Sequence, residues 1–134
     1  PKKCVCSNKT TRNGDSVLSI NCNQQNLKIS RNNNNEGQES EKWDPILAVL
    51  KQAVDFRAEN NQIEYVEKFA QFQNLRLMNL AGNLVSQLQS ESFVNMPNLQ
   101  TIILSNNRIS CIFWDLVLLF SSNTTHPNAL TMKF

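Results

Sequence analysis

The residues of this chain best able to do chemistry are four cysteines, a single histidine and two Asn-x-Thr triplets. Cys4, Cys6 and Cys22 cluster near the amino end, and Cys111 stands far from them. Thiolates can ligate zinc, act as nucleophiles or oxidise to disulfides. A zinc site needs four convergent ligands, and Cys4-Val5-Cys6 has no second close pair to complete one, so no metal site is expected. Asn8-Lys9-Thr10 and Asn123-Thr124-Thr125 are acceptors for N-linked glycans in a secretory pathway. Together with clustered cysteines they point to an oxidising compartment and an extracellular location. His126 lies beside Pro127 with no motif around it. Three glycines make no phosphate-cradling loop, and there is no G-x-S-x-G. The expectation is a chain with no catalytic residues and no cofactor.

The elements that hold these groups must fit into 134 residues, the length of one domain. With 40% hydrophobic and 18% charged residues, the composition is that of a globular chain. The net charge of +2 is scattered over Lys2, Lys3, Arg57, Arg76 and Arg108 rather than gathered into a stripe, which argues against nucleic acid as a partner. No apolar run approaches the ~20 residues that span a bilayer. The longest, Ile112 to Phe120, is interrupted by Asp115, so direct membrane insertion is not expected. The opening Pro1-Lys2-Lys3-Cys4 reads as a mature or trimmed start.

Internal repetition organises the rest. Leu75, Met78, Leu80, Asn83, Val85 and Leu88 are followed by Leu99, Ile102, Leu104, Asn107, Ile109 and Ile112, each position recurring 24 residues on (75 to 99, 83 to 107, 88 to 112). A weaker copy, Ala53, Phe56, Ala58, Asn61, Ile63 and Val66, precedes them with an offset of 22 (53 to 75). The pattern resembles the leucine-rich repeat, L-x-x-L-x-L-x-x-N-x-L. Phe93, Met96 and Pro97 fall where the longer extracellular form of the repeat has a phenylalanine, an apolar residue and a proline. The resemblance implies an α/β-type solenoid: a right-handed leucine-rich-repeat coil with a parallel concave sheet and an irregular or short-helical convex side.

Elementary physics agrees. Alternating apolar residues such as Met78 and Leu80 point the same way from a short strand. One coil cannot bury its apolar side alone, and stacked neighbours build a continuous core. Asn61, Asn83 and Asn107 turn the chain out of each strand, where their amides can bond backbone groups that the bend would leave unpaired. The repeats are read as 53–74, 75–98 and 99–128. A fourth starts at 129–134, with Ala129, Met132 and Phe134 in register with Leu99, Ile102 and Leu104, and stops before its asparagine. On that ground the chain is expected to be a piece of a longer array.

Residues 1–52 are expected to form a lid over the first coil. Cys4-Val5-Cys6, Val17 to Cys22 and Leu27-Lys28-Ile29 resemble the cysteine-rich amino-terminal cap of extracellular leucine-rich-repeat proteins, C-P-x-x-C-x-C, a variable hairpin and a fourth cysteine. Pro1-Lys2-Lys3-Cys4-Val5-Cys6 matches from the proline onward, and the cysteine before it is missing. Carried over, the family pairing implies a Cys4–Cys22 disulfide and leaves Cys6 without its partner, while Cys111 reads as a buried thiol. Residues 31–41, rich in asparagine and glutamate, read as a mobile loop. Asp44-Pro45 marks a helix start, with Ile46, Val49, Leu50 and Ala53 on one face.

Function would sit on the concave face, where the residues between consensus positions meet solvent. The candidates for ligand binding are Asp55, Arg57, Glu59, Leu77, Asn79, Thr101, Ile103 and Ser105. Leu77 and Ile103 are apolar with no consensus reason to be, and apolar residues among polar ones suit a protein partner. Trp114, Leu118 and Leu119 exceed what one repeat needs. The families with this cap and repeat include Slit-like guidance proteins, Toll-like receptors and neuronal adhesion proteins. The resemblance therefore implies a cell-surface receptor ectodomain or a secreted binder with a protein ligand or co-receptor. A structural matrix component that self-associates through an uncapped carboxyl-terminal end is the other reading.

Overall fold

The computed structural model describes residues 4–29, 51–66, 72–88, 93, 96–112 and 131–134. Ten strands run in order: β1 (Val5–Thr10), β2 (Ser16–Asn21), β3 (Lys28–Ile29), β4 (Ala53–Arg57), β5 (Gln62–Ile63), β6 (Leu77–Asn79), β7 (Gln87–Leu88), β8 (Thr101–Ile103), β9 (Cys111–Ile112) and β10 (Thr131–Lys133). Six of them form one sheet in the order β1-β2-β4-β6-β8-β10. Only β1 and β2 are antiparallel; every later neighbour is parallel.

The register explains the core. Ile20 stands opposite Phe56, Phe56 opposite Met78, Met78 opposite Ile102, and Ile102 opposite Met132. The first four are buried and Met132 packs against them. Two residues on, Cys22, Ala58, Leu80 and Leu104 make a second buried row. Their N–H groups donate to the carbonyls of Arg57, Asn79, Ile103 and Lys133 in the following strands, at 2.6–2.9 Å. Each strand thus completes the hydrogen bonding and the burial of its neighbour, and no coil is self-sufficient. Phe72, Phe93, Leu75, Leu99 and Met96 fill the interior beyond the sheet. Burying side chains of this size contributes about 1.5–3 kcal/mol each.

Beyond the turns, the described residues make two small parallel sheets, β3-β5 and β7-β9, while most of the expected irregular or short-helical return lies outside the described residues. Ile29 pairs with Ile63 and Leu88 with Ile112. Successive coils come into register here as well, and backbone N–H and C=O groups next to the core are satisfied by each other. Among the described residues there is no helix. Ala53, expected on the apolar face of a helix, is the first residue of β4 and fully buried. The rest of that helix, the 31–41 loop, Trp114, Leu118, Leu119, Asn123 and His126 lie outside the described residues, as does the side chain of Cys111.

The amino-terminal strands β1 and β2 form a hairpin. A tight turn joins β1 to β2, with the Thr11 N–H donating to Asp15 O (2.8 Å), the Asp15 N–H to Thr11 Oγ1 (3.1 Å), and Gly14 at φ 85°. A Cys4–Cys22 disulfide ties the start of the hairpin to the residue after β2. Cys6 is free and exposed. Beyond β2, β4, β6 and β8 the chain turns through a left-handed residue at equivalent places: Gln24, Asn60, Gly82 and Asn106, with φ between 55° and 69°. The left-handed region costs roughly 1–2 kcal/mol for a residue with a Cβ, least for asparagine and glycine, which hold three of these four sites.

Candidate binding face of the six-stranded sheet

Side chains alternate across a strand, so the residues flanking the buried row share the other face of the sheet. They form two cross-strand ladders. The first runs Ser19, Asp55, Leu77, Thr101, Thr131; the second runs Asn21, Arg57, Asn79, Ile103, Lys133. Neighbours within a ladder are about 4.8 Å apart, the strand spacing. Asp55, Arg57, Leu77, Thr101 and Ile103 therefore lie side by side, all half-buried. Glu59 and Ser105, just past their strands, are half-buried too.

Three charged residues meet at the β1–β4 end, and Lys133 stands across from Ile103 at the other. Lys9 Nζ, reaching from β1, lies 3.2 Å from Asp55 Oδ2, and Arg57 Nε lies 3.2 Å from Asp55 Oδ1. Arg57 Nη2 also donates to Asp55 Oδ2 at 3.3 Å. Asp55 Oδ1 is buried and receives no hydrogen bond, so the Arg57 Nε contact is charge proximity without donor alignment. Glu59 is held by Asn23: its N–H donates to Asn23 Oδ1 (2.8 Å) and its Oε1 accepts from Asn23 Nδ2 (3.2 Å). Leu77 and Ile103 sit on adjacent strands, one register step apart, with Thr101 directly across from Leu77. An ionic end thus passes into an apolar patch along one continuous surface.

Asn79 departs from the expectation. It is only 6% exposed, and its Oδ1 accepts the Ala81 N–H at 3.1 Å. It sits between Arg57 and Ile103 in the ladder, and its amide closes a local turn instead of facing solvent. Asn21, in the same ladder, accepts the Asn23 N–H in the same way.

The turn asparagines have a separate, structural place. Asn61 Oδ1 accepts the N–H groups of Gln25 and Leu27, and its Nδ2 donates to Cys22 O. Asn83 Oδ1 accepts Ile63 N–H and its Nδ2 donates to Ala58 O and Leu80 O. Asn107 Oδ1 accepts Val85 N–H and its Nδ2 donates to Leu80 O and Leu104 O.

The roles of Lys9, Asn74 and Asn98 were not legible in the sequence. Lys9 reaches the sheet face only because the hairpin folds β1 alongside it, which no spacing announces. Asn74 and Asn98 form a second asparagine series, donating to Lys51 O (3.0 Å) and Gln73 O (2.7 Å). Their offset, 74 to 98, is that of the repeat, and the pairs Asn74-Leu75 and Asn98-Leu99 carried the signal.

Elsewhere, Glu64, Leu84, Ser86 and Arg108 line an open depression of about 230 Å³. That is below the ~300 Å³ at which small-molecule sites begin. Among the described residues no group of three or more His, Cys, Asp or Glu could hold a metal ion, and no helix is long and apolar enough to cross a membrane.

Parallel strands at the repeat offset, two buried apolar rows and an asparagine at each turn are the features the repeat pattern implies. Residues 59–109 and 73–121 match the family model described as leucine rich repeat. Over 68 residues, 49% of the chain, it is 31% identical to epiphycan of Mus musculus, and over the same length equally similar to epiphycan of Gallus gallus. The matched segment makes up 21% and 22% of those proteins, so the chain spans about a fifth of the length of the relatives it matches.

Proposed function

We propose that the chain is an extracellular, non-catalytic protein-binding module of a secreted protein or cell-surface receptor ectodomain. The sheet is read as the concave side of a right-handed coil, and the partner lies across it. The observation that carries this reading is the patch of Leu77, Thr101 and Ile103 beside the Lys9–Asp55–Arg57 cluster. Apolar side chains rimmed by charged ones favour a protein surface over a small molecule. Asp55, Arg57 and Ser105 flank the patch, Glu59 rims it while bonded to the lid, and Asn79 shapes the backbone beneath it. The disulfide and the likeness to epiphycan support the extracellular part.

The test is a binding screen of the purified chain against arrayed secreted and cell-surface ectodomains, run in parallel with Leu77→Arg. Leu77 is half-buried, and circular dichroism checks that Leu77→Arg keeps the fold. Signals present for the wild type and absent for the variant support the reading. Equal signals for both, or none for either, contradict it. Self-assembly through the β10 end is the rival, and concentration-dependent light scattering favouring an oligomer that Leu77→Arg leaves intact would support it instead.

A further inference from the structure

The outer edge of β1 is the end of the six-stranded sheet among the described residues. β1 is six residues long and every one of them is exposed, Val5 at 63%. It lies at the end of the sheet order, and among the described residues no strand pairs with its outer edge. Such an edge offers backbone donors and acceptors to any second chain, and proteins blunt it with charges, proline, bulges or a cover. β1 has no proline, and its register against β2 is unbroken from Val5↔Asn21 to Thr10↔Ser16, so no bulge twists it away. Its one charge, Lys9, is drawn back across the sheet to Asp55. What remains is Asn8, exposed near the middle of the strand and opening the triplet Asn8-Lys9-Thr10.

We infer that Asn8 carries an N-linked glycan and that this glycan shields the β1 edge against pairing with a second copy of the chain. Transfer happens as the chain enters the secretory pathway, before the hairpin closes. Asn8 Nδ2 bonds to the anomeric carbon of an oligosaccharide held on a lipid diphosphate; the amide gives up a proton and the lipid diphosphate leaves. The exposed side chain then accommodates the sugar without disturbing the core. A bulky hydrated group at mid-strand leaves too little uncovered backbone on either side for an antiparallel β1–β1 pair.

The inference rests on the secretory part of the proposed function, and the experiment separates the two. The chain is expressed through a secretory route, the mass of the peptide containing residue 8 is measured, and the molar mass is followed by light scattering up to tens of micromolar. The wild type should carry the glycan and stay monomeric. Asn8→Gln and Thr10→Ala should lose the glycan and associate, with an approximate doubling of molar mass. Thr10→Ser, which keeps the acceptor, should remain glycosylated and monomeric. Asn8→Gln combined with Ser7→Lys should be monomeric again, because the new charge guards the edge. An unmodified Asn8 in a secreted chain whose Cys4–Cys22 bond has formed overturns the inference and leaves the function standing. Monomeric Asn8→Gln and Thr10→Ala at the same concentration overturn it equally, as does association of Thr10→Ser.

Discussion

Asn83 Nδ2 donates to the carbonyl of Ala58 at 2.8 Å, so a side chain of one repeat closes the backbone of the repeat before it. Its Oδ1 accepts the Ile63 N–H at 3.0 Å, and Asn83 is buried. Asn61 and Asn107 make the same kind of bridge on either side. Stacking is thereby fixed by polar bonds as well as apolar packing.

Asn83→Ala leaves the Ile63 N–H and the Ala58 carbonyl short of partners in the interior, while Leu80 O keeps the Asn107 amide. Each unsatisfied buried group costs about 1–3 kcal/mol, so a loss of roughly 3 kcal/mol or more is expected in urea unfolding. Asn98→Ala removes one exposed bond, to Gln73 O, and should cost no more than about 1 kcal/mol. Equal losses at the two positions would contradict the bridging role of Asn83.

Gly82 combines φ 69° with a close neighbour: a Cβ there would run into Asn60 Oδ1. Gly14, at φ 85°, has nothing within 4 Å of the same point. Gly14→Ala should therefore cost only the backbone strain, about 1–2 kcal/mol, and Gly82→Ala distinctly more. Thermal melts of the two variants check the order.

Reducing Cys4–Cys22, or replacing either residue by serine, opens a loop with a sequence separation of 18. The chain-entropy estimate is about 3 kcal/mol, expressed as a lower unfolding midpoint under reducing conditions. Cys6→Ser, at an exposed free thiol, should leave the midpoint unchanged.

The Lys9–Asp55 contact joins the hairpin to β4, but the Lys9 side chain is half exposed and the pair is screened. A double-mutant cycle with Lys9→Ala and Asp55→Asn should give a coupling below about 1 kcal/mol that shrinks as salt is raised. A larger, salt-independent coupling would mean that the pair is more enclosed than its exposure indicates.

Much of this architecture is written in local pattern. The offsets from 53 to 75 and from 75 to 99 become the registers Asp55↔Leu77 and Leu77↔Thr101, because each strand must meet its neighbour at the same apolar position. The small sheets β3-β5 and β7-β9 were not legible. Two-residue strands carry no periodicity, and their pairing follows only once the coils are stacked. The sheet face was legible as a set of positions and less so in its details. Asn79 is claimed by its own turn and Glu59 by Asn23, whereas Lys9 enters from a hairpin far away in sequence. Side chains that bond locally or come from another element are invisible to a repeat alignment.

The central claim is that the partner lies on the Leu77–Ile103 side of the sheet. It is tested most directly by the dissociation constant of Ile103→Arg for an ectodomain recovered in the array screen, beside Arg108→Glu as a control away from that face. Ile103→Arg should weaken binding at least about tenfold, roughly 1.4 kcal/mol, with Arg108→Glu close to wild type. Unchanged affinity for Ile103→Arg together with a loss at Arg108→Glu would place the partner elsewhere and contradict the account.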